Sequence, residues 1–119
     1  MAQIEIMFII LGVVKEDYAD WKSCAGEEVE GLTLSHPLSM CSACGTPEFT
    51  TYTLGFKDCI DWIFYQNDLL RVTGVVPFPL KEDLEARQGL PHIDFPSDHI
   101  ACVADMEWIE AGGGAHESN

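Results

Sequence analysis

The run Cys59-Ile60-Asp61-Trp62-Ile63-Phe64-Tyr65 constrains this chain more than any other segment. It is apolar at odd and even positions alike, apart from one aspartate in its third place. A strand apolar on both parities belongs in a sheet covered on both faces, between layers. A buried, unpaired carboxylate is costly, so Asp61 needs a hydrogen-bonding partner or a metal ion.

The flanking sequence supplies more elements. Residues 50–54 are β-branched and aromatic and read as a strand closed by Gly55. Residues 70–76 read as another strand, ended by Pro77 and Pro79. Residues 81–88 read as a short surface helix with Leu84 inward and Gly89 as its stop. The last strand, 100–108, alternates, so Ile100, Cys102, Ala104, Met106 and Trp108 should share an inward face. Residues 16–21 read as a helix end or a polar loop, and 34–50 crowd turn formers together. The apolar, Ile-rich residues 1–11 are a strand or a buried helix, which periodicity alone does not separate. Residues 110–119, with three consecutive glycines, have flexible-tail composition. No repeat is visible. The class expected is mixed α/β (α+β).

Size and charge set limits. A single domain of 119 residues is expected, and a multidomain enzyme is not. Twenty acidic against six basic residues give a net charge of −14. Such a charge repels itself, and so small a domain buries only about two-thirds of its unfolded surface. The six cations, Lys15, Lys22, Lys57, Arg71, Lys81 and Arg87, are scattered. No basic stripe is there to displace counterions from phosphates, so a polyanion-binding surface on these residues is not expected. Bound divalent cations can still let an acidic chain act on phosphates. The apolar start is broken by Gly12 and is too short to cross a bilayer. With an acidic start, an odd cysteine count and no leader visible, an intracellular compartment is expected.

Ser97-Asp98-His99 opens the last strand from a loop stiffened by Pro96. A histidine beside carboxylates can be tuned for proton transfer or charge stabilisation. If the Asp61 and His99 strands are neighbours, Asp61 orients the His99 ring, the base-plus-orienter arrangement of hydrolytic sites. The plain alternative is a capping aspartate and a surface histidine. Phe56, in a loop after Gly55, is either core or an exposed ring able to stack a nucleobase. Cys41-Ser42-Ala43-Cys44 is a lone CxxC. Zinc would want a second pair, and a redox motif would want a helix that Pro47 does not suggest, so chance spacing is the simpler reading.

Taken in order, several stretches resemble a known family. They are Phe49-Thr50-Thr51-Tyr52-Thr53, Phe56-Lys57-Asp58-Cys59-Ile60-Asp61-Trp62-Ile63-Phe64-Tyr65, Leu90-Pro91 and Phe95-Pro96-Ser97-Asp98-His99-Ile100. The family is the endonuclease/exonuclease/phosphatase superfamily, in its deadenylase branch. Its 2′,5′-phosphodiesterases, which also trim poly(A) in mitochondria, look nearest. Asp17-Tyr18-Ala19-Asp20-Trp21, Leu32-Thr33-Leu34-Ser35-His36 and Ser42-Ala43-Cys44-Gly45 fit as well, so the likeness runs over residues 12–108. It implies the C-terminal half of a two-sheet, four-layer DNase I-like α/β sandwich over residues 12–109, incomplete by itself, with 1–11 unmatched.

The resemblance also implies a Mg²⁺- (or Mn²⁺-) dependent phosphodiesterase acting on RNA or oligoadenylate, in the mitochondrial matrix or cytoplasm. Asp61 and His99 would be the catalytic pair, His99 contacting the scissile phosphate. Asp98 would lie at the metal, and Phe56 would stack an adenine. The family's early metal-binding Glu and its central Asp-x-Asn have no counterpart here, so the principal ligands are expected outside this chain, which alone is expected to be inactive. Thr51 stands where the family often has Asn. Two other readings stay open: a non-catalytic binding or regulatory fragment that pairs with another chain, and a small zinc or redox protein using Cys41 and Cys44.

Overall fold

The apolar start of the chain is helical in a computed structural model, which describes residues 3–110. Helix α1 (Gln3–Leu11) stops at Gly12, whose φ of +73° is a left-handed conformation open to glycine. A Cβ at Gly12 would meet the His36 carbonyl oxygen at 3.0 Å. His36 finishes the cap. Its Nε2–H donates to the Phe8 carbonyl at 2.8 Å, and its Nδ1 accepts from the Leu38 amide at 3.1 Å. A helix end buried without such partners would leave carbonyls unsatisfied. The tail residues 111–119 and the first two residues lie outside the described part.

Among the described residues eight short strands follow, in four antiparallel pairs. Strand β1 (Val13–Val14) pairs with β2 (Leu34–Ser35), and a 3-10 turn (Ala19–Lys22) lies between them. Strand β3 (Met40–Ser42) pairs with β6 (Phe64–Gln66), and β4 (Thr51–Tyr52) with β5 (Lys57–Asp58). Strand β7 (Leu70–Val75) pairs with β8 (Ala104–Trp108), with a register shift between Val72 and Gly74. The architecture is thus mixed α/β, strand-rich, with small antiparallel sheets and no closed barrel among the described residues.

Helix α2 (Lys81–Ala86) lies where the sequence pattern puts it, and Leu84 is its one buried residue. Gly89, at φ +88°, ends the turn after it. A Cβ there would meet the Tyr52 carbonyl oxygen at 3.0 Å. This close approach lets the Leu90 amide donate to the same Tyr52 oxygen at 2.7 Å. The core forms around that junction from Phe49, Tyr52, Leu84, Leu90 and Ile100, with Phe78 and Phe95 against it. Tyr52 and Phe49 pack edge to face at 5.0 Å.

Two expectations are corrected. The single strand expected over 59–65 is not continuous: β5 ends at Asp58 and β6 begins at Phe64. Side chains take the amides between them out of the ladder. The Cys59 amide donates to Asp58 Oδ1 at 2.8 Å, and the Ile60 and Asp61 amides donate to Thr50 Oγ1 at 2.9 Å each. Residues 61–65 are half-buried rather than enclosed. The strand expected over 100–108 begins only at Ala104, and its expected inward face is buried at Ile100 but open at its far end, where Trp108 is 73% exposed. No described residue covers the outer part of the β7–β8 ribbon.

The core makes a direct prediction. Leu84→Ala should lower unfolding stability by about 2–5 kcal/mol in urea titrations followed by tryptophan fluorescence. Leu54→Ala, at a residue 84% exposed, should change it by less than about 0.5 kcal/mol. Equal effects would contradict the placement of the core.

Candidate active site

The site is assembled on residues 50 and 51. The Thr50 amide donates to the Asp58 carbonyl at 2.9 Å, which holds β5 on one side. The Ile100 amide donates to the Thr50 carbonyl at 2.7 Å, which holds the last segment on the other. Thr51 bridges His99 in antiparallel register, and its hydroxyl donates to the Asp98 carbonyl at 2.8 Å. Residues 50–51 therefore act as a central rung, with the Asp61 segment on one edge and the His99 segment on the other.

Across that rung the two predicted partners meet. His99 Nδ1 lies 2.8 Å from Asp61 Oδ2. A carboxylate oxygen accepts, so Nδ1 carries the hydrogen and Nε2 is the ring nitrogen left for other partners. The side chains are half-exposed, 45% for His99 and 38% for Asp61. Ser97 Oγ accepts from the His99 amide at 3.1 Å and fixes the turn that Pro96 begins. Asp61 is held from the far side too, since Cys102 Sγ lies 3.6 Å from its carbonyl oxygen as donor.

Electrostatics follow the geometry. The hydrogen bond to Asp61, and then the Asp61 charge, hold the His99 pKa above its ordinary 6.5. Burial opposes this, and the Asp98 charge adds a little. Two thiols lie nearby. Burial pushes Cys59 up to about 11, with Cys102, Asp58 and Asp61 adding to the rise and a Thr50 hydrogen bond opposing it. Burial, then the neighbouring Cys44 and Asp61, raise Cys102. Such thiols stay protonated at neutral pH and behave as packing groups rather than nucleophiles.

The pair opens on a cleft of about 460 Å³, lined also by Asp94, Phe95, Pro96, Ser97 and Cys102. Asp98 and Phe56 do not line it. Asp98 is exposed, its carbonyl bound to Thr51. Phe56 is 44% exposed in the β4–β5 hairpin, where its carbonyl oxygen accepts from the Thr53 amide at 2.8 Å. The cleft's carboxylate and hydroxyl oxygens suit a hard cation such as Mg²⁺. Among the described residues, however, no three His, Cys, Asp or Glu side chains gather closely enough to hold a metal ion. The set therefore fits Mg²⁺ in kind but not in number. All five cysteines are free thiols, and Cys41 accepts from Asn67 Nδ2 at 3.1 Å. Thr50 was not singled out from the sequence. Its only signal there is a hydroxyl residue opening a strand eleven residues before the embedded aspartate.

Known proteins are similar to this chain over most of its length. No family model matches the chain. It is 45% identical over 101 residues to 2′,5′-phosphodiesterase 12 of Rattus norvegicus, covering 85% of this chain and 17% of that protein. The Homo sapiens protein of the same name is 43% identical over the same length. The CCR4-Not complex 3′-5′-exoribonuclease subunit Ccr4 of Coccidioides immitis is 36% identical over 98 residues, covering 80% of this chain and 13% of the relative. Over that span the chain is homologous to the deadenylase branch of the endonuclease/exonuclease/phosphatase superfamily. It spans about one-sixth of the length of its 2′,5′-phosphodiesterase relatives. No helix among the described residues is long and apolar enough to cross a membrane.

His99 binds its proton more tightly folded than unfolded. That contribution to stability is complete below pH 6.5 and is lost as pH rises through the folded-state pKa. Asp61→Asn should bring the His99 pKa down toward 6.5 in an NMR titration of its ring protons. An unchanged titration would mean that the pair does not form in solution.

Proposed function

We propose that residues 12–109 form the part of a deadenylase-type phosphodiesterase domain that carries its histidine–aspartate pair. The complete domain hydrolyses phosphodiester bonds of RNA or oligoadenylate, with Mg²⁺ or Mn²⁺ as cofactor. The 2.8 Å contact between His99 and Asp61, made by residues 38 apart in the chain, carries this reading. The names of the relatives, a 2′,5′-phosphodiesterase and a 3′-5′-exoribonuclease subunit, support the reaction class.

In this reading Asp61 fixes the ring with Nδ1 protonated and favours its charged form. His99 Nε2 then contacts a phosphate oxygen and stabilises the negative charge that grows during hydrolysis. Phe56, already exposed at a hairpin tip, stacks an adenine. Asp98 would supply one ligand to such a metal, the remaining ligands coming from polypeptide outside these residues, and the bound ion would supply Lewis-acid polarisation of the phosphate and a water of lowered pKa. The compartment proposed is the mitochondrial matrix or the cytoplasm.

The test is a chimera in which residues 12–109 replace the matching segment of the rat 2′,5′-phosphodiesterase 12. It should hydrolyse oligoadenylate with Mg²⁺, whereas the purified 119-residue chain should not. His99→Ala and Asp61→Ala in the chimera should each lower kcat by about 10²–10³-fold or more. Near-normal turnover in either variant, or robust cleavage by the isolated chain, would contradict the proposal.

A further inference from the structure

The hydroxyl of Thr50 is the best-satisfied buried polar group near the site. Thr50 is fully buried, with a relative exposure of 0%. A hydroxyl offers one donor and two acceptor positions. Both acceptor positions are filled, by the amides of Ile60 and Asp61 at 2.9 Å each. A Thr50 hydrogen bond also opposes the rise in the Cys59 pKa. The same residue's carbonyl holds the Ile100 amide at 2.7 Å, next to His99. One residue thus grips the backbone on both sides of the pair, by its side chain under Asp61 and by its main chain beside His99.

We propose that Thr50 is the positioning residue of the Asp61–His99 pair, its hydroxyl setting where the Asp61 carboxylate stands relative to the imidazole. This rests on the reading of that pair as the reactive one. The local chain conformation gives the reason. Residues 59–63 have left the β5 ladder, so no neighbouring strand fixes the backbone at Asp61. The two hydrogen bonds to Thr50 replace that ladder. Without them the amides of Ile60 and Asp61 are left without a partner, and the segment must move to satisfy them. A shift of about 1 Å at Asp61 is enough to break a 2.8 Å contact to His99.

A Thr that merely stabilised the fold would change stability without changing the pair, so the test reads the pair itself. The signal is the slowly exchanging His99 Nδ1–H resonance in the proton NMR spectrum of the 119-residue chain. Thr50→Ser keeps the oxygen and should keep the resonance. Thr50→Val keeps the shape, loses the oxygen and should lose the resonance while core methyl signals of Leu84 and Leu90 persist. A folded Thr50→Val chain that retains the resonance, or a folded Thr50→Ser chain that loses it, would overturn the proposal.

If Thr50→Val does not fold, hydrogen exchange of the native chain decides. The Ile60 and Asp61 amides should exchange at least about tenfold more slowly than the turn amides of Leu54 and Gly55. Equal rates would overturn it. In the chimera, Thr50→Val should lower kcat with little change in KM. The NMR and exchange measurements use no phosphodiester, so they stand or fall separately from the proposed activity.

Discussion

Two adjacent threonines hold the functional part of this molecule together. Through Thr50 and Thr51, residues 58–61 and 98–100 are tied to a common rung by backbone and hydroxyl hydrogen bonds of 2.7 to 2.9 Å. Both threonines are buried, at 0% and 2% exposure, so these bonds form in a medium where leaving them unmade is costly. The core of Phe49, Tyr52, Leu84, Leu90 and Ile100 includes the residues flanking that rung, which couples the packing of α2 to the geometry at Asp61 and His99. A small core therefore suffices locally, although much apolar surface of the described residues stays exposed.

Charge distribution complements this arrangement. The cations are mostly committed to local partners. Lys22 pairs with Glu30, Arg71 with Glu107, Lys81 with Glu48 and Arg87 with Asp94. Lys57 donates to the Tyr52 hydroxyl at 2.8 Å and lies over its ring. Exposed pairs of this kind add little stability, about 0–1 kcal/mol each, but they leave few cations to attract a phosphate backbone. In the proposed domain, charge compensation of the substrate would fall to the protonated His99 and to metal ions. The Asp61 hydrogen bond and charge, with a smaller contribution from the Asp98 charge, favour the charged form of His99.

Much of this was legible in the sequence, and the parts that were not have definite physical causes. An aspartate inside an apolar run demands a partner, and Ser97-Asp98-His99 offers one; the two meet, although the strand that follows begins at Ala104 rather than at Ile100. The helix at 81–86 follows from its composition and its Gly89 stop. The break in the 59–65 run was not legible, because hydrogen bonds from amides to a threonine hydroxyl leave no periodic trace. Nor was the role of Thr51, whose hydroxyl grips the Asp98 carbonyl. Alternation along 100–108 predicted an inward Met106 and Trp108, which are 37% and 73% exposed. Alternation reports which side a residue takes, not whether anything covers that side. Helix or strand at the apolar start could not be decided by pattern, and Gly12 and His36 settle it through a helix cap.

The central claim is that Asp61 acts through His99, on a frame built by Thr50 and Thr51. A double-mutant cycle in the proposed chimera tests it most directly, comparing kcat for Asp61→Asn, His99→Ala and the double variant. If Asp61 works by holding and charging the ring, the double variant should be no slower than His99→Ala alone. Losses that multiply, each variant keeping its full cost in the presence of the other, would show two independent roles and contradict the account.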